Sequence, residues 1–147
     1  MKIIVDADGC PVVELAISIA KEHSLDIVIV KNYCHEIIDD YATIITVDLS
    51  RDRADFYIVN NIEKGDVVIT QDYGLAAMVL AKEGLCINQN GLIISSNNID
   101  ILLGRRHLNQ ELRRKYQKSF SKFKKRKKET DKEFENSLRS LLASQSI

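Results

Sequence analysis

Little in this chain can act as a covalent or metal staple. Cysteine occurs three times in 147 residues, at Cys10, Cys34 and Cys86. An odd count without metal-ligand spacing excludes a disulfide framework and suits a reducing compartment. Each thiol reads more naturally as a small buried hydrophobe than as a nucleophile. No apolar run approaches the roughly 20 residues that span a bilayer. No basic stretch followed by an apolar run and a small-residue cleavage site opens the chain, so the expected location is the cytoplasm, without a membrane partner. Internal repeats are also absent. The single proline, Pro11, stands where a helix can begin without losing a hydrogen bond.

Net charge is absent only on average. Residues 1–104 hold 7 basic and 16 acidic side chains, a balance of −9, whereas residues 105–147 hold 14 and 5, a balance of +9. Such asymmetry points to an anionic partner for the basic part, nucleic acid above all, or to a basic tail folded against an acidic body. The length suits one domain with a sizeable core. The expected organisation is therefore a single domain over 1–147, with an acidic α/β body at 1–104 and a basic helical extension at 105–147.

What is present alternates. Short runs rich in Ile and Val at 2–5, 25–32, 43–48, 65–70 and 85–88 predict strands. Between them, helical spacing appears from Pro11 onward, over 51–62, and over 73–84, where Gly84 is the expected stop. The stretch 35–42 fits a loop or a short helix, and the residues after 92 a short strand or turn followed by helix. Thr130 and Glu133 have capping-box spacing ahead of a stripe made by Phe134, Leu138, Leu141 and Leu142. This order predicts an α/β/α sandwich around a mainly parallel sheet of about five strands. Ligands of such sheets bind beyond the carboxyl ends of the strands.

Aspartates gather at those predicted ends. Asp6 and Asp8 follow the first strand, Asp48 ends the third, and Asp72 follows the fourth. Asp52 and Asp55, three apart, share one face of the helix after strand three. Carboxylates brought together repel one another unless protonated or bridged by a cation. Hard oxygen ligands suit Mg²⁺ or Mn²⁺, which polarise a phosphoryl oxygen and generate hydroxide from water. Blander roles stand beside this one. Asp8, Asp48, Asp52 and Asp72 can each cap a helix, and Asp55 can pair with Arg51. Thr70 ends its strand, with a hydroxyl able to orient a water or simply as a β-branched strand residue. Asn88 suits a neutral ligand or a turn.

The blocks "VDADGCPV" (5–12), "DRADFYIV" (52–59) and "GDVVITQDYGLA" (65–76) resemble the bacterial YaiI/YqxD family of uncharacterised proteins. "INQNG" at 87–91 stands where that family usually has Asn-Pro-Arg-Gly. The tail matches more loosely. The family is similar to PIN-domain proteins, parallel α/β/α sandwiches, many of which are metal-dependent ribonucleases. The resemblance implies Asp6, Asp55 and Asp72 as catalytic acids, with Asp8 and Asp52 as further metal ligands. No fourth acid of the PIN pattern follows Asp72.

The leading expectation is a Mg²⁺- or Mn²⁺-dependent nuclease acting on RNA. Thr70, Arg105, Arg106, Lys124, Lys125 and Arg126 would contact the substrate, and Phe120 or Phe123 could stack on bases or pack on the body. One alternative is a non-catalytic nucleic-acid-binding protein, favoured by the missing fourth acid. Another is a phosphatase with Asp6 as nucleophile, whose later acidic pair is not found at the required spacing. The oligomeric state stays open.

Overall fold

A computed structural model describes residues 1–33, 36–48, 53–104 and 128–145. Among them six strands form one sheet: β1 (Lys2–Asp6), β2 (Asp26–Asn32), β3 (Thr43–Val47), β4 (Val67–Ile69), β5 (Leu85–Ile87) and β6 (Ile93–Ile94). Their order is β3-β2-β1-β4-β5-β6. The first five run parallel, and β6 returns antiparallel along β5. The helices are α1 (Val13–Glu22), α2 (Arg53–Asn61), α3 (Tyr73–Ala81) and α4 (Lys128–Gln145), with a further helical stretch at 99–104.

The two faces of the sheet follow from strand alternation, because successive side chains point to opposite sides. Ile3 and Val5 of β1, Ile27 and Ile29 of β2, and Val67 and Ile69 of β4 enter one core. That core also takes Val12, Ala16, Ile19 and Ala20 from the α1 region and Phe134, Leu138 and Leu142 from α4. Ile4, Val30, Val68 and Cys86 enter the other, against Ile58 and Ile62, against Leu75, Ala76 and Val79 of α3, and against Leu102. The result is a three-layer α/β/α sandwich. Its central strands are apolar on both faces, as a parallel sheet covered on both sides requires.

Some open readings resolve and other local expectations change. Residues 36–42 take the loop alternative: the Asp39 carboxylate accepts from the N–H groups of Tyr41 and Ala42 at 2.8 and 2.9 Å, an Asx-type turn. The sheet gains β6 as a sixth strand. Thr130 lies inside α4 rather than at its N-cap, so Thr130 and Glu133 do not form a capping box. The left-handed residue after α3 is Glu83, at φ 64°, not Gly84. Gly84 is small for a different reason: a Cβ there would stand 2.6 Å from Ile62 Cδ1 and 2.7 Å from Val79 Cγ1.

Phe134 is fully buried and is the main anchor of α4 on the sheet. Phe134→Ala should lower stability by about 3–5 kcal/mol, read as a lower urea midpoint. An unchanged midpoint would show that α4 is not part of the cooperative core.

Candidate active site

The carboxyl ends of β1 and β4 lie where the strand order reverses, since chain connections lead from β1 outward to β2 and β3 and then back to β4. Crevices at such switch points are the ligand sites of open α/β sheets. Asp6 is the last residue of β1, and Thr70 directly follows β4. Val5 pairs with Ile69, so Asp6 and Thr70 are neighbours on the face covered by α2 and α3. The Thr70 hydroxyl donates to Asp6 Oδ2 at 2.9 Å and accepts the Asp72 N–H at 3.0 Å. Thr70 is thus neither an ordinary strand residue nor an open surface hydroxyl: it is 2% exposed and ties β1 to the start of α3.

Asp72 is the N-cap of α3. Its Oδ1 accepts from the N–H groups of Gly74 and Leu75 at 2.9 and 3.2 Å. The capping role and the placement beside Asp6 hold together, because the cap fixes the carboxylate at this edge. Asp8 does not cap α1, whose N-cap is Val12 without a side-chain bond. Its Oδ1 instead accepts a long bond, 3.5 Å, from the amide of Asn32. Asn32 ends β2 at the same edge, the positional signal that picked out the aspartates; a search confined to acids passes over it. Asp55 lies in the first turn of α2, which packs over β1 and β2 and beside α3.

These placements act on Asp6. Burial, opposed by the Thr70 hydrogen bond and reinforced by repulsion from Asp55, Asp72 and Asp8, raises its carboxyl to about 6 from the usual 3.8. Asp48 is not drawn in: it is exposed at the end of β3 and pairs with Arg53 at 3.4 Å. Asn88 is a turn former, its Oδ1 accepting from the N–H groups of Asn90 and Leu92, both at 2.9 Å. The Gln71 amide donates to the Gln89 side chain, joining the loop after β4 to the turn after β5. Cys10 packs against the first core, and burial pushes the Cys86 thiol up to about 12, far from reactivity.

Asp52, Arg105, Arg106, Lys124, Lys125 and Arg126, with Phe120 and Phe123, lie outside the described residues. Among the described residues, no three His, Cys, Asp or Glu side chains come together closely enough to hold a metal ion. Carboxylate is the donor chemistry of a hard divalent cation, but the described spacing is not that of a metal cage. No helix among the described residues is long and apolar enough to cross a membrane.

Comparison with known proteins places the chain among sequences of one kind. A family model described as uncharacterised, YaiI/YqxD family, matches residues 4–144. A UPF0178 protein of Alkaliphilus oremlandii is 56% identical over 138 residues, covering 94% of this chain and 88% of that protein. One of Natranaerobius thermophilus is 46% identical over 142 residues, covering 97% and 96%, and one of Ruminiclostridium cellulolyticum 46% over 138, covering 94% and 90%. No solved structure matches the chain.

The elevated Asp6 carboxyl has a thermodynamic signature. The folded state holds the proton more tightly than the unfolded chain, so this contribution to stability is complete below about pH 4 and is lost as pH rises through 6. Above pH 7 the ionised Asp6 costs about 2–3 kcal/mol, from roughly two pH units at 1.36 kcal/mol each, discounted for partial exposure. Asp6→Asn should therefore be the more stable protein at pH 7.5, and the difference should vanish toward pH 4. Urea unfolding of both proteins across that range checks it; a constant difference would refute the perturbed titration.

Proposed function

The chain belongs to the uncharacterised YaiI/YqxD family, and on the geometry of the Asp6 edge we propose that it is a divalent-metal-dependent nuclease that hydrolyses phosphodiester bonds in RNA. The observation that carries this reading is the placement of Asp6 at the switch point of the sheet, within electrostatic reach of Asp8, Asp55 and Asp72 from three separate parts of the chain. The neighbouring charges raise the cost of ionising Asp6, a cost that a cation would relieve.

The donor types fit Mg²⁺ or Mn²⁺, with Asp6, Asp55 and Asp72 as principal ligands and Asp8 and Asp52 assisting. Such an ion supplies charge neutralisation at phosphate and acidifies a water. The chain's own groups do the rest. Thr70 fixes the orientation of the Asp6 carboxylate through Oδ2. Asp72 is held by the first N–H groups of α3, so its position does not depend on the ligand. The basic segment that includes Arg105, Arg106, Lys124, Lys125 and Arg126 would neutralise the substrate backbone. A cytoplasmic, RNA-handling role fits this set of groups.

The absence of three close ligands among the described residues favours a second reading, a nucleic-acid-binding protein without catalysis. An Asp-nucleophile phosphatase finds less support: Asp66 lies at the opposite edge of the sheet, its Oδ2 2.7 Å from Lys2 Nζ, and cannot serve with Asp6.

Mn²⁺ calorimetry and cleavage of a labelled RNA, on the parent and on Asp6→Asn with Asp72→Asn, separate the readings. Asn retains capping ability at position 72, so the helix start survives while the charges go. The expected result is Mn²⁺ binding and metal-dependent cleavage in the parent, each at least about 100-fold weaker in the double variant, with RNA binding preserved. A parent protein that binds RNA but neither Mn²⁺ nor cleaves establishes the non-catalytic reading instead.

A further inference from the structure

We propose that the chain self-associates through the outer edge of β3, two copies pairing that strand antiparallel about a two-fold axis so that their sheets join into one. β3 ends the sheet on one side, and among the described residues only β2 pairs with it. That pairing runs through every position from Thr43 to Val47 without a bulge. Among the described residues, no further hydrogen bond reaches these five. Thr43 and Thr46 are exposed, and Ile44, Ile45 and Val47 are half-buried. The outward N–H and C=O groups of a strand so placed are a template for another strand.

Natural sheets blunt their edges with lysine, proline, bulges or very short strands. The opposite edge of this sheet is blunted. β6 has two residues, and the Ile93 carbonyl accepts from the Asn98 side chain at 2.8 Å. β3 has neither lysine, proline nor bulge; its sequence, Thr-Ile-Ile-Thr-Val, is uncharged and β-branched throughout. One open edge per chain also limits the assembly. Association stops at two copies, whereas two open edges would grow a ribbon.

The strand's own sequence selects a second copy as the occupant. Ile44 packs on the face covered by α1 and α4, so Thr46 shares that face; Val47 packs on the other, with Thr43 and Ile45. A two-fold axis normal to the sheet keeps each face continuous across the junction. Full overlap of the strands puts that axis at Ile45. Ile45 then faces Ile45 of the copy, Thr43 faces Val47, and Ile44 faces Thr46. Every cross-strand pair is β-branched, and none opposes like charges. The first charge beyond the strand, Asp48, comes level with Ala42, whereas an axis at Ile44 would move it toward Asp40. Five residues a side fall short of the roughly 20–30 of a standard interface, so the dimer should dissociate on dilution.

The test is sedimentation velocity of the full chain from about 1 to about 500 μM. The weight-average mass should rise from one chain to two and no further. Thr43→Lys combined with Thr46→Lys changes only exposed side chains, so the urea midpoint should hold. The dimer dissociation constant should nevertheless rise at least about 10-fold, as lysines crowd the joined edge. Ile45→Cys tests the register, in a background carrying Cys10→Ser and Cys34→Ser. Mild oxidation should cross-link Ile45→Cys into a dimer, because opposed Cα atoms of antiparallel strands lie about 4.5–5.5 Å apart, within disulfide reach. Thr43→Cys, which faces Val47 of the copy, should not cross-link. A parent that stays monomeric across the whole range overturns the edge pairing. So does a dimer that the two lysines leave unchanged, or one that cross-links no better through Ile45→Cys than through Thr43→Cys.

Discussion

The hydrogen bond from the Thr70 hydroxyl to Asp6 Oδ2 joins the functional edge to the fold. Thr70 stands at the end of a strand buried on both faces, so its position is set by the sheet rather than by a loop. The Thr70 hydroxyl oxygen also accepts the Asp72 N–H, which links the start of α3 to the end of β1 through one side chain. Asp6 is thus held where burial and three like charges oppose its ionisation, with the Thr70 bond acting in the other direction. A carboxyl titrating near 6 exchanges protons readily close to neutrality. Its ionisation also responds strongly to any cation that arrives.

The alternation of strands and helices was legible because its two signals are local: runs of Ile and Val for buried strands, and apolar spacing for helices. Strand order was not, because it is fixed by which strand neighbours which after collapse. That order decides the site. Asp6 and Asp48 end β1 and β3, and on local grounds they are equivalent. β2 lies between those strands, so Asp48 turns to Arg53 in solvent, while β4 beside β1 brings in Thr70 and the cap of α3. Sequence reasoning reached Asp6, Asp8, Asp55 and Asp72 through their positions at strand ends and helix starts. It had no means of seeing that a threonine would join two of them.

Glycine and asparagine carry a similar ambiguity. Gly84 after a helical pattern suggests a left-handed stop, yet Glu83 takes that conformation, and Gly84 is required because Ile62 and Val79 leave no room for a Cβ. One residue type answers two demands, backbone freedom and close approach, and only packing distinguishes them. Asn88 likewise sits at a strand end among candidate ligands, but its carbonyl oxygen is taken up by two N–H groups of the turn that leads to β6.

The contrast between Asp66 and Asp6 bears most directly on function. Both lie next to the central strands, at opposite edges of the sheet. Burial disfavours ionisation of Asp66, yet its carboxyl lies below the usual range, because the Lys2 ammonium, the Lys2 N–H and the Glu63 N–H all bond it. The chain therefore has the means to satisfy a buried carboxylate completely and does so where only stability is at stake. Among the described residues, Asp6 receives the Thr70 hydroxyl, while Asp55, Asp72 and Asp8 each raise the cost of its charge. Ionisation of Asp6 is thus disfavoured at the switch point of the sheet, where an incoming cation or proton would relieve the charge.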